Sequence, residues 1–377
     1  MLTALGFAEF LGMTLWFSAT SAAPALIAEF RLAPGEAAWL TMGVQGGFVC
    51  GTLLSAVFNL PDVLNARRLF ALGCLAGAMA NGAVTLADRP ATAVTLRVLT
   101  GVALAWVYPP GLKIAASWFE HKRGAALGIL VGALTLGSAF PYLLASFGVS
   151  VPWRTLMLTA SVCAMAGGVV VLAIVRDGPY VPMTAPFDPR AIGRVFLNRR
   201  VRLATFGYLG HMWELYAMWT WIATFAAASL LAANGSVIAF AAIASGAAGC
   251  VGAGLIADRI GKARVAAWAM IVSAACSVLA GFTFRAAPWV LFTLAVVWGI
   301  SIVADSALFS ALVSEYSSRE YVGTALTIQM CTGFLLTMVT IRLVPLMASA
   351  VGWQWAFLLL VPGPILGTLA MFRLQRT

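Results

Sequence analysis

Apolar residues dominate the chain in twelve runs, over 3–26, 37–59, 68–87, 92–117, 124–148, 155–175, 203–231, 236–257, 264–284, 289–314, 322–345 and 354–373. Short stretches carrying charge, proline or glycine separate them. Each run has at least 20 residues, and a helix needs about 20 to cross a hydrocarbon core of ~30 Å. The pattern predicts an all-α integral membrane protein of twelve transmembrane helices, with little chain left for a soluble domain.

Composition agrees with that pattern. Of 377 residues, 62% are apolar and 10% charged, whereas a soluble domain carries roughly 25% charged residues and is about half apolar. The net charge of +10 could suggest nucleic acid, but the charges lie in connections between apolar runs, so none is expected as a partner. Sixteen cations fall on one side of the membrane (Arg67, Arg68, Lys122, Arg123, Arg176, Arg190, Arg194, Arg199, Arg200, Arg202, Arg259, Lys262, Arg264, Arg319, Arg373 and Arg376) and four on the other (Arg31, Arg89, Arg154 and Arg285). The positive-inside rule then places both termini in the cytoplasm. The first run opens with no basic stretch and no cleavage site, so it reads as a retained helix. The six cysteines stand singly in apolar stretches and read as small core residues.

The longest connection, 176–202, is basic and proline-rich. It divides the chain into six runs within 1–175 and six within 203–377. The halves repeat weakly. Phe10-Leu11-Gly12 matches Tyr208-Leu209-Gly210, Gly124-Ala125-Ala126-Leu127 matches Gly323-Thr324-Ala325-Leu326, and Asp62 and Asp258 each follow the second run of a half. The offsets, 198, 199 and 196, are nearly constant. This predicts two pseudo-symmetric six-helix bundles with a solute site between them, near the midplane.

After the eighth run the chain reads Gly254-Leu-Ile-Ala-Asp258-Arg259-Ile-Gly261-Lys262. This resembles the loop motif of the major facilitator superfamily, Gly-x-x-x-Asp-Arg-x-Gly-Arg/Lys. The matching stretch after the second run keeps Asp62, Arg67 and Arg68 but lacks the glycine and has one extra residue. Arg97-Val-Leu-Thr-Gly101 resembles the superfamily's Arg-x-x-x-Gly element. The resemblance implies alternating access, a cavity lined by runs one, four, seven and ten, and a gating latch at Asp62, Arg67, Arg68, Asp258, Arg259 and Lys262. It implies a multi-pass protein of the bacterial inner membrane, acting as a monomer with a small solute, protons and the lipid bilayer as its partners. The fifth run (Gly124, Gly128, Gly132, Gly137, Pro141) lacks the Gly-Pro dipeptide that marks many drug/proton antiporters, which weighs slightly against drug efflux, and its glycines read as helix-packing positions.

A charge inside a bilayer costs several kcal/mol unless paired or hydrated, so embedded ionisable groups point to function. The four cavity runs carry Glu9, Arg97, Lys113, His211, Glu214 and Asp305. His211 and Glu214 are three apart, hence on one helix face, where a carboxylate beside an imidazole would exchange protons. Asp305 with Ser301 and Ser306 forms a polar face. Glu9 and Lys113 lie at similar depth; they would pair, or Lys113 would hold an anionic solute that Glu9 gates. The expected substrate contacts are Lys113, Arg97, Trp16, Tyr108, Trp213 and Tyr216, and the expected proton carriers are Glu214, His211, Asp305 and Glu9. Pro109-Pro110 should break the fourth helix beside Tyr108. Arg342 reads as an interfacial anchor.

These residues support a proton-coupled carrier of a small anionic solute. The competing reading is a proton antiporter exporting a hydrophobic or cationic compound, which the membrane acids and aromatics would suit. Enzyme chemistry and cofactors are not expected: the two histidines, His121 and His211, are far apart and the loops hold no second domain.

Overall fold

The computed structural model describes residues 1–33, 35–119, 123–147, 151–180, 187–230, 235–318 and 320–377. The described residues are helical, with short turns and no strand. In chain order the helices are α1 (Leu2–Met13), α2 (Ser18–Ser21), α3 (Ala23–Phe30), α4 (Ala38–Val57), α5 (Leu60–Val63), α6 (Ala66–Ala83), α7 (Pro90–Leu104), α8 (Tyr108–Ser117), α9 (Arg123–Ser146) and α10 (Trp153–Ala173). They continue as α11 (Ile192–Leu197), α12 (Arg199–Leu230), α13 (Gly235–Ile260), α14 (Lys262–Thr283), α15 (Pro288–Ala304), α16 (Ser306–Tyr316), α17 (Val322–Val351), α18 (Trp353–Ala356) and α19 (Pro362–Leu374).

Among the described residues ten stretches are long and apolar enough to cross a membrane, where the sequence pattern gave twelve. The first and seventh runs make the difference. A turn at residues 14–17 and a kink at Ala22 cut the first run, leaving α1 with 12 residues. The seventh run is the unbroken, 32-residue α12, whose apolar character is diluted by Arg199, Arg200, Arg202, His211 and Glu214. That helix starts inside the expected 176–202 connection, within which 181–186 lie outside the described residues. So do His121, Lys122 and Arg319, and the side chain of Arg123.

Two further breaks fall well inside apolar stretches, Pro90–Ser117 and Pro288–Tyr316. Pro109 and Pro110 sit in the first turn of α8, where a missing N–H is tolerated, and they separate α8 from α7 as the sequence predicts. Asp305 separates α15 from α16. Irregular backbone within a membrane persists where protein or a cavity satisfies it.

Helices from the first half of the chain pack on each other (α4 on α7, α6 on α7 and α10, α1 on α9 and α10), as do those of the second (α13 on α15, α12 on α17 and α19). Between the halves, α9 packs on α13 and, less extensively, on α16, and α4 packs on α17. Glycines allow the closest approaches. A Cβ on Gly101 would overlap the Val44 carbonyl across α7 and α4, and one on Gly299 would overlap the Ala242 carbonyl across α15 and α13. Gly128, in the fifth run, faces the Cys250 carbonyl, so that stripe does serve helix packing.

Ties at the face opposite the termini close the frame. Arg154 binds Glu29, Nη1 to Oε2 at 3.2 Å, and Trp153 Nε1 donates to the same carboxylate at 2.6 Å. Those two donors, Arg154 first, hold the Glu29 carboxyl below its ordinary range. Arg342 donates to the Gly35 carbonyl, anchoring α17 to the segment before α4.

Candidate functional site

A cavity of about 690 Å³ opens on the face that carries the termini. Its mouth is ringed by Asp62, Lys113, Asp258, Lys262 and Glu315, and its interior is mainly apolar, with Ala105, Pro109, Leu112, Leu127, Leu326 and Met330 beside the hydroxyls of Thr52, Ser55, Ser314 and Thr327 and no charge. At Ser310 and Met330 it meets a smaller cavity of about 40 Å³, walled by Tyr108, Tyr208, Tyr216, Trp219 and Phe334. Beyond lies a layer of rings from both halves of the chain. Phe48 and Phe334 are 4.5 Å apart, Trp16 lies 5.5 Å from Tyr216, and Phe17 lies 5.8 Å from Trp219. Tyr142 Oη donates to the Trp219 carbonyl at 3.1 Å. The cavity is therefore open at one face and sealed by aromatics toward the other.

Two of the expected solute contacts, Tyr108 and Tyr216, line the smaller cavity. Trp16 stands in the sealing layer and lines neither cavity. Trp213 faces away: its Nε1 donates to the Leu359 carbonyl at 2.9 Å and its ring lies against Gly363. The reason is helical geometry. At ~100° per residue, Tyr208, Met212, Leu215, Tyr216 and Trp219 fall on one stripe of α12, and Trp213 lies outside it. The sequence reading missed Tyr208, Trp219 and Phe334, although the first two share that stripe with Tyr216.

Arg97 does not reach the cavity as expected of a solute contact. It is fully buried, and its guanidinium donates to the carbonyls of Leu15 (3.1 Å), Trp16 (2.6 Å) and Leu40 (3.4 Å), to Ser18 Oγ (3.1 Å) and to Asn81 Oδ1 (2.6 Å). Leu15 and Trp16 lie in the turn that interrupts the first run, so Arg97 satisfies carbonyls that the helix has released.

Lys113 lines the mouth but is engaged, forming an ion pair with Asp62 and donating to the Pro61 carbonyl at 2.8 Å. It does not pair with Glu9. Glu9 is fully buried against Gly111, and neither of its oxygens has a hydrogen-bond partner among the described residues.

His211 and Glu214 do not form the expected pair. His211 Nδ1 lies 2.8 Å from Asp305 Oδ1, at the break between α15 and α16. Glu214 instead accepts from Ser273 Oγ and Ser277 Oγ, both at 2.6 Å, and from Trp298 Nε1 at 2.8 Å. A spacing of three residues leaves ~60° between two side chains. In a bundle this is enough to send one toward α16 and the other toward α14 and α15.

The loop motif lies at the turn between α13 and α14. Gly261 adopts φ +99°, which requires glycine, and turns α13 into α14. Lys262 reaches Glu315 of α16 at 2.8 Å, while Asp258 lines the mouth beside Gly124 at the start of α9. Arg67 donates to the Leu172 carbonyl at 3.0 Å, tying α6 to α10; Arg68 and Arg259 are exposed.

Among the described residues, ten stretches long and apolar enough to cross a membrane, arranged around a one-sided cavity, define a polytopic membrane protein. The family model of the Major Facilitator Superfamily matches residues 5–252 and 231–377, and the chain belongs to that superfamily. It is 24% identical over 216 residues to a probable actinorhodin transporter of Streptomyces coelicolor, an alignment covering 56% of this chain and 36% of that protein. It is 25% identical over 183 residues to the MFS-type transporter pytF of Aspergillus terreus, covering 48% of this chain and 60% of that protein. The matches thus span from about a third to three fifths of these relatives' own lengths.

Proposed function

We propose that the protein is a secondary transporter of twelve spans, in six-helix bundles 1–175 and 203–377 joined by 176–202, that exports a hydrophobic compound in exchange for protons. One observation carries the choice of solute: the chamber is mainly apolar, and the two cations on its helices are already engaged, Arg97 by carbonyls and Lys113 by Asp62. An anionic solute would meet no cation beyond the mouth. The mouth itself carries Asp62, Asp258 and Glu315 against Lys113 and Lys262, which suits a neutral or cationic amphiphile better. Both relatives bear transporter names, one for actinorhodin, which agrees with a carrier of an organic compound.

In this reading the termini face the cytoplasm of a bacterial inner membrane and the chamber opens inward. The contacts α9–α13 and α4–α17 are the hinge surfaces on which the bundles rock. Proton exchange falls to the His211–Asp305 pair, because Asp305 adjoins Ser306 in the wall of the inner pocket, and to Glu9, whose oxygens lack donors. Glu214, with three donors, serves as a structural tie.

The test is uptake of a lipophilic cation or a neutral dye into inverted vesicles or proteoliposomes whose interior is made acidic. Gradient-dependent accumulation is expected, and Asp305→Asn should abolish its dependence on the gradient. Transport of small anions alone, or uptake indifferent to the gradient, would overturn the reading.

A further inference from the structure

The inner end of the chamber has a chemistry that a purely hydrophobic cargo would not need. Its wall combines the rings of Tyr108, Tyr208, Tyr216, Trp219 and Phe334 with the hydroxyls of Ser306 and Ser310. Tyr208 and Tyr216 retain only 7% and 5% of their surface. Tyr108, Ser306 and Ser310 are only half-buried, and none of the five hydroxyl oxygens is among the buried side-chain atoms left without a partner, so these hydroxyls face the cavity itself. Tyr142, in the neighbouring layer, is turned inward and donates to the Trp219 carbonyl instead.

We infer that this end pocket recognises the oxygen-bearing edge of a planar aromatic solute, a phenol or a quinone. The inference rests on the exporter reading above and names the class of its cargo. Hydroxyls both donate and accept, so they match phenolic O–H and carbonyl oxygen alike. Aromatic walls favour a flat ring, through offset or edge-on packing. The pocket holds about 40 Å³, room for the edge of one ring, while the body of the molecule would lie in the adjoining 690 Å³. A carboxylate or phosphate would find no cation there. A polyol would be left against Val131, Leu134, Met212, Leu215 and Val303.

The experiment measures binding of 2,7-dihydroxynaphthalene and of naphthalene to the full chain in lipid nanodiscs, corrected with empty nanodiscs for partition into lipid. The hydroxylated ring is expected to bind at least tenfold more tightly. Tyr208→Phe, Tyr216→Phe and Ser306→Ala should each erode that preference while leaving naphthalene binding unchanged. Thermal unfolding of each variant shows whether it is folded, and the two-compound comparison on the unaltered protein decides the matter if none is. Equal affinity for the two rings, or a preference that survives all three substitutions in folded protein, overturns the inference and leaves the exporter reading standing. Binding of neither ring overturns both.

Discussion

Arg97 and Glu214 are the two charges most deeply committed to protein contacts, and each stabilises a different half of the chain. Arg97 bridges the interrupted first run to α4 and, through Asn81, to α6; Asn81 Nδ2 in turn donates to the Met157 carbonyl at 3.0 Å. Truncation would strand several buried carbonyls, and each unmade buried partner costs about 1–3 kcal/mol. Arg97→Ala should therefore give little folded protein, read as yield and unfolding midpoint in detergent. Arg97→Lys should rescue it only partly, because an ammonium lacks the planar fork. A midpoint unchanged in Arg97→Ala would refute the structural role. Glu214→Gln places an amide donor among three donors, so it should lower the midpoint by the equivalent of roughly 1–3 kcal/mol while any remaining transport keeps its dependence on the pH gradient. Loss of that dependence at an unaltered midpoint would return Glu214 to the proton pathway that its sequence position suggested.

At the scale of helices, interruption and close approach decide the architecture. The fourth span was readable as a broken helix because Pro109 and Pro110 cannot continue one. The breaks at 14–17 and at Asp305 carry no such signal; the first is held by Arg97, and the second adjoins the pocket wall. Two pairs of close-packed helices recur across the halves, α4 with α7 around Gly101 and α13 with α15 around Gly299. Gly299→Ala should force α13 and α15 apart, at an overpacking cost of about 1–3 kcal/mol. Gly252→Ala on the same α13 meets open space and should be silent. Equal unfolding midpoints for the two variants would contradict the tight α13–α15 seam. The glycines of the fifth run, which the sequence left as ordinary packing positions, do face α13 at Gly128.

For the whole molecule the issue is which face the chamber opens on. Leu326 lines the chamber, and Phe48 is buried in the aromatic layer. Leu326→Cys should react quickly with a membrane-impermeant thiol reagent applied to the face of the termini. Phe48→Cys should stay unreactive from either side until the bundles rearrange. Cys50, which is exposed, sets the background and is best removed first. The opposite labelling pattern would show that the resting state opens the other way.

Residue type and period determined the membrane class, the proline break, the family and the inventory of embedded charges, because lipid imposes one length and one polarity on every spanning helix. What the inventory could not say was which charges were free. Arg97, Lys113 and Glu214 looked like solute or proton contacts as isolated letters, and each has its partners on other elements of the chain: Leu15 and Asn81, Asp62, Ser273 and Trp298. Pairing is a property of helix rotation and packing, and ~60° around one axis was enough to part His211 from Glu214. The tertiary structure alone therefore set Arg97, Lys113 and Glu214 aside as engaged groups and brought forward the hydroxyl-lined aromatic pocket beside Asp305.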